Sequence, residues 1–186
     1  MTFAHYSVHP TPLGDAFLVV TAEGLVILDL LDGPVDHAVE ASSRALHVVP
    51  EHRPDTVAPV ADQLDEYFAG DRRQFDVRVD WRLVDGFTRA ALQAVCDIPY
   101  GETASYGEVA IRAGSPGAHR AVGSACARTP ISIIVPAHRV VRADGSPGEY
   151  GRSPEHKLFL LDLEAPAPRT PRAGQARAAA RSSAGE

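Results

Sequence analysis

The chain has 186 residues, 45% of them hydrophobic and 23% charged, which excludes a mini-protein, a collagen-like chain and wholesale disorder, and leaves one large or two small folded domains. No apolar run reaches the ~18 residues needed to cross a bilayer, and residues 1–20 lack the basic start, long apolar stretch and small-residue cleavage site of a signal peptide, so a cytoplasmic chain with no membrane partner is expected. Two cysteines, Cys96 and Cys126, are too few for a disulfide framework, and a net charge of -6 argues at first against nucleic acid as a partner.

Along the chain, residues 3–9, 16–21 and 25–31 are rich in β-branched and aromatic side chains. Turn signals at Thr11-Pro12-Leu13-Gly14 and Ala22-Glu23-Gly24 separate them, which predicts a small antiparallel sheet. Residues 35–46 and 57–69 have helical spacing, with Val60, Leu64, Tyr67 and Phe68 on one stripe, and Phe75, Val77, Val79 and Trp81 alternate like a further strand. The class is therefore α+β. His5, His9 and His37 lie here with no cysteine and no HExxH arrangement, so no metal site is expected.

Charge balance changes at Asp85-Gly86: residues 1–86 hold 6 Lys and Arg against 15 Asp and Glu, and residues 87–164 hold 8 against 8. A first domain over 1–85 and a second over 86–164 follow. The second opens with a helix over 87–95. Ser105 and Glu108 then form a capping box, so a helix starts at Tyr106 and stops near Gly114. Ser115 as N-cap and Pro116 as first helical residue predict another helix through about Ala127, in a helix-turn-helix outline.

That second helix is small-sided, with Ala118, Ala121, Gly123, Ser124 and Ala125. Small side chains suit either close helix packing or a backbone lying deep in a nucleic-acid groove with Arg120 projecting. Within residues 103–143, Arg112, Arg120, Arg128, Arg139 and Arg142 face only Glu108, a phosphate footprint on an acidic chain. Residues 131–135 read as a short buried strand that delivers Pro136-Ala137-His138-Arg139-Val140-Val141. A closing helix is expected over 154–164, with Leu158, Leu161 and Leu163 as its apolar side. Residues 165–186 read as a disordered basic tail.

Ile98-Pro99-Tyr100-Gly101-Glu102-Thr103 with Ser105-Tyr106, Arg120-Ala121-Val122-Gly123, and the run from Pro130 through Pro136-Ala137-His138-Arg139-Val140-Val141 together resemble the O6-alkylguanine-DNA alkyltransferases, the methylated-DNA–protein-cysteine methyltransferases. The resemblance covers residues 87–164 well. It is looser over the first domain, at residues 7–14, Gln63 to Gly70 and Phe75-Asp76-Val77. It implies a ribonuclease H-like first domain followed by a winged helix-turn-helix DNA-binding domain. It also implies a monomer without cofactor or metal whose partner is double-stranded DNA containing O6-alkylguanine, together with other DNA-repair proteins. In the family a glutamate orients a histidine, which works through a water to deprotonate an acceptor cysteine; the matching positions are Glu164, His138 and Ala137. The resemblance further implies that Tyr106 rotates the nucleotide and Arg120 fills the vacated stack, in the base flipping of DNA repair. Ala121, Gly123, Ser124, Arg128 and Arg139 fall on the DNA side, and Pro136, Val140, Tyr150 and Gly151 around the lesion.

Alanine has no lone pair with which to accept an alkyl group. Further departures from the family are Leu92 for a tryptophan, Thr129 for an asparagine, and Gly151-Arg152-Ser153 in place of a glycine-rich segment. Cys126 reads as a buried small hydrophobe rather than a substitute acceptor. Three functions remain in view: an alkyltransferase-like protein that binds the lesion without repairing it, an alkyltransferase whose acceptor cysteine has been exchanged for alanine, and a regulatory DNA-binding domain with no lesion preference.

Overall fold

The structure, a computed structural model, describes residues 3–148 and 153–165. Tyr150, Gly151 and Arg152 of the expected lesion loop, and residues 166–186 of the expected tail, lie outside the described residues.

Strands β1 (Ala4–Thr11), β2 (Gly14–Thr21) and β3 (Gly24–Leu30) form an antiparallel meander. A two-residue strand, β4 (Glu51–His52), adds parallel to β1 and gives the order β3-β2-β1-β4. Gly24 has φ +136°, and a Cβ there would lie 2.1 Å from the Arg78 carbonyl oxygen, so only glycine closes this turn. Strand β2 is buried on both faces because a helix covers each. Phe17 and Val19 pack toward Leu46 of α1 (Val35–Leu46), while Ala16 and Leu18 pack with Val57, Leu64 and Tyr67 of α2 (Pro54–Phe68). Each Val, Leu and Phe side chain among them contributes about 1.5–3 kcal/mol on burial.

The helical C-terminal domain comprises α3 (Gly86–Cys96), α4 (Tyr106–Arg112), α5 (His119–Ala127) and α6 (Pro154–Glu164), with β5 (Ala104–Ser105) parallel to β6 (Val140–Val141). The Ser105–Glu108 capping box is formed as expected. Leu18 and Leu28 of the sheet share one core with Leu92, Val109, Val122 and Leu160 of these helices.

Four expectations are corrected. Residues 75–79 are not a strand: Val79 makes a single bridge to Leu25, and Trp81–Leu83 is a 3₁₀ turn, because only Leu25 on the edge of β3 is open to this segment. Residues 131–135 are not a strand either. Leu28 donates to the Pro130 carbonyl at 2.9 Å and accepts from the Ser132 amide at 2.7 Å, after which the backbone turns away from β3. Helix α5 starts at His119 rather than Pro116, because Gly117 takes φ +89° and breaks any earlier helical turn. Finally, α6 buries Lys157, Leu160 and Glu164 and leaves Leu158 48% exposed, so its inward stripe carries two charged residues and not the Leu158 expected among its apolar residues.

Candidate functional site

The segment 129–136 is a strap held at one end by β3. The Thr129 hydroxyl accepts from the Ile131 amide at 3.3 Å, and the Ile134 amide donates to the Ser132 carbonyl at 2.7 Å around Ile133. Ile133 sits at φ +67°, a region a β-branched side chain adopts only at a cost of about 1–3 kcal/mol. Pro136 (φ -81°, ψ 61°) then makes an inverse γ-turn closed by the Ala137 amide on the Val135 carbonyl at 2.8 Å. These two tight turns aim the 3₁₀ turn Ala137–Arg139 into the core, where Ala137 is 1% exposed and His138 fully buried.

His138 meets Glu164, the last residue of α6. Its Nε2 lies 2.9 Å from Glu164 Oε1. The same oxygen accepts from Arg139 Nη2 at 2.8 Å and from the Tyr67 hydroxyl at 2.7 Å. Glu164 Oε2 accepts from Arg139 Nε at 2.8 Å and from the Gly101 amide at 3.2 Å. Burial opposes the charge of Glu164, but the hydrogen bonds from His138 and Arg139 outweigh it and hold the carboxyl well below the usual carboxylate range. A carboxylate has no proton to give, so His138 Nε2 is the donor, and the tautomer follows. Burial keeps the imidazole neutral by pulling its pKa below the ordinary value, against the pull of Glu164.

Two further buried groups stand close by. Lys157 Nζ donates to the Val140 carbonyl at 2.6 Å and lies 5.8 Å from the Tyr106 ring centroid; burial lowers its pKa to about 8. Burial pushes the Cys126 thiol up to about 11, which suppresses its thiolate.

Helix α5 presents two unlike faces. Val122, Ala125 and Cys126 are buried, whereas Arg120, Ala121, Ser124 and Arg128 are exposed along one side, and Gly123 lies over the Tyr106 ring. The small-sided helix therefore serves packing on one face and leaves a shallow surface flanked by two guanidinium groups on the other.

The sequence-predicted positions separate accordingly. His138 and Glu164 are brought together beside Ala137; Pro136 and Val140 are buried next to them; Arg120, Ala121, Ser124 and Arg128 share one exposed side. Arg139, expected on the DNA side, is corrected. It is 8% exposed and spends its guanidinium on Glu164 and on the Ile98 carbonyl, at 2.6 Å, so a phosphate contact is out of its reach. Tyr67 and Lys157 were missed. Tyr67 sits in an apolar stripe that looks like core, and Lys157 looks like a solvated helix residue; no local signal marks either. Among the described residues, one surface cleft of about 710 Å³ runs between α1 and the strap. Another, of about 600 Å³, reaches Pro136 and Arg139 beside Tyr100.

Comparison with known proteins bears on this geometry. Residues 4–81 match the ribonuclease-like domain of 6-O-methylguanine DNA methyltransferase, and residues 86–166 match the DNA binding domain described under the same name. A methylated-DNA–protein-cysteine methyltransferase of Mycobacterium tuberculosis is 41% identical over 160 residues, 86% of this chain and 92% of that protein. The Mycobacterium leprae protein of the same name is 42% identical over 154 residues, covering 83% and 88%. Among solved structures, the M. tuberculosis O6-methylguanine methyltransferase superposes with a TM-score of 0.72 at 37% identity over 89% of this chain and 97% of that one. The M. tuberculosis OGT solved in complex with DNA gives 0.72 at 38% identity, covering 88% and 96%.

Proposed function

Because the chain belongs to the 6-O-methylguanine DNA methyltransferase family, we propose that it binds double-stranded DNA containing O6-alkylguanine, draws the damaged base out of the stack and holds it without taking the alkyl group. Ala137 carries this proposal. Alkyl transfer requires a sulfur lone pair to form the new S–C bond while the O6–C bond breaks toward guanine, and a methyl side chain supplies no such pair. Cys126 does not replace it, because burial raises its thiol to about 11 against the opposing charge of Lys157. Incubation with DNA carrying a labelled O6-methyl group is expected to leave the protein unlabelled while a stable complex forms. Label on Cys126 or Cys96 would overturn the proposal.

The exposed side of α5 supports the DNA contact, and the DNA complex of the M. tuberculosis protein supports it independently. Arg128, at the C-terminal end of α5, is assigned to phosphate, Arg120 to the vacated stack and Tyr106 to rotation of the nucleotide. Arg128→Ala is expected to weaken binding to all duplexes alike and to reduce the salt slope by about one. Arg120→Ala is expected to erode the preference for lesion over matched DNA, because extrusion costs a few kcal/mol that an inserted side chain offsets in part. Electrophoretic or fluorescence titration at several salt concentrations measures both, and identical losses in the two variants would deny them separate roles.

A further inference from the structure

We infer that Tyr67, on α2 of the N-terminal sheet domain, is a positioning residue for His138: its hydroxyl competes for Glu164 and thereby sets how tightly the carboxylate holds the imidazole. Glu164 Oε1 is shared by three donors, Tyr67 at 2.7 Å, Arg139 at 2.8 Å and His138 at 2.9 Å. A carboxylate oxygen offers two lone pairs, so three donors cannot all reach their best geometry. Of the three, His138 has the longest bond. Arg139 is anchored a second time through Oε2 and a third through Ile98, which leaves Tyr67 as the donor whose removal most directly benefits His138.

The hydroxyl is separable from the ring. The Tyr67 ring packs on Phe75, Phe68 and Tyr100 at 5.2, 5.4 and 6.2 Å, contacts that phenylalanine would keep. The charged and titratable groups that act on the pair come from several elements: Tyr67 from α2, Tyr100 from the loop before β5, Arg139 from the 3₁₀ turn, and Lys157 from α6. Only Tyr67 among them belongs to the sheet domain. Tyr67 thus carries a hydrogen bond from the first domain to the carboxylate that orients His138.

The inference rests on the assignment of His138 and Glu164 to the lesion site, but its test reads the imidazole in DNA-free protein, so loss of lesion binding and loss of this coupling are distinguishable. Proton–nitrogen NMR of His138 follows the Nε2 proton directly. Tyr67→Phe is expected to move that proton downfield, as the bond to Glu164 shortens, and to raise the imidazole pKa by about one unit. Replacement of Tyr67 by 3-fluorotyrosine, a stronger donor with the same ring, is expected to move it upfield. An unmoved resonance in both proteins, or a shift of the same sign in both, would overturn the inference. Should Tyr67→Phe fail to fold, the fluorotyrosine protein alone decides: an upfield shift supports the competition, and no shift or a downfield one refutes it.

Discussion

Ala137→Cys is expected to give the protein single-turnover alkyl transfer, which the chain with alanine at this position is expected to lack. A thiol at that position would follow the Pro136 turn into the core and stand next in sequence to His138, whose neutral imidazole is ready to take a proton. A free thiol has a pKa near ~8.5 and becomes strongly nucleophilic once a neighbouring base removes its proton. Adding His138→Ala should then slow transfer by about 100- to 10,000-fold, the usual range for a general base. The rate should remain well below that of an evolved acceptor, because Thr129 and Ile133 set the path of the strap and a displacement of ~1 Å costs on the order of 100-fold. Single-turnover assays with labelled DNA separate the cases. No transfer by either variant would mean the site has diverged beyond its thiol, and equal rates would remove His138 as the base.

Glu164→Ala is expected to be among the most destabilising single changes in the chain. It strips the partner from a buried guanidinium and leaves Tyr67, His138 and the Gly101 amide without their acceptor. Breaking a buried ion pair from one side costs about 3–5 kcal/mol, which lowers the thermal midpoint by roughly 10 °C in a chain of this size. Glu164→Gln keeps the shape but loses the charge, and should fall between that variant and wild type. The pH dependence has a definite sign. Glu164 is a stronger acid folded than unfolded, so its contribution is fully present above about 4.5 and is lost as the pH falls below that value. Denaturant melts from pH 7 to pH 3 should therefore show wild type losing more stability than Glu164→Gln; parallel losses would mean that the carboxylate is not the acid-sensitive group.

Local chemistry made much of this molecule legible from its sequence. The β-branched runs and their turn residues identified β1 to β3, and the Ser105–Glu108 box located the start of α4, because these signals act over a few residues and need no partner. The family pattern likewise paired His138 with Glu164, which the fold brings to 2.9 Å, and the alanine at position 137 is read directly from the sequence. Three-dimensional partners decided the rest. The run 131–135 has the composition of a strand, yet it becomes a strap because β3 offers it one bridge at Leu28 and no more. The spacing of α6 favoured Leu158, yet the core takes Lys157 and Glu164, since the Val140 carbonyl and the Arg139 guanidinium give those charges hydrogen bonds that no sequence window contains. Arg139 counts as a surface charge in a sequence tally and becomes an internal clamp for the same reason. Burial of these charges depends on partners far off in the chain, 17 residues for Lys157 and Val140 and 25 for Arg139 and Glu164, and such partners are supplied only by the tertiary fold.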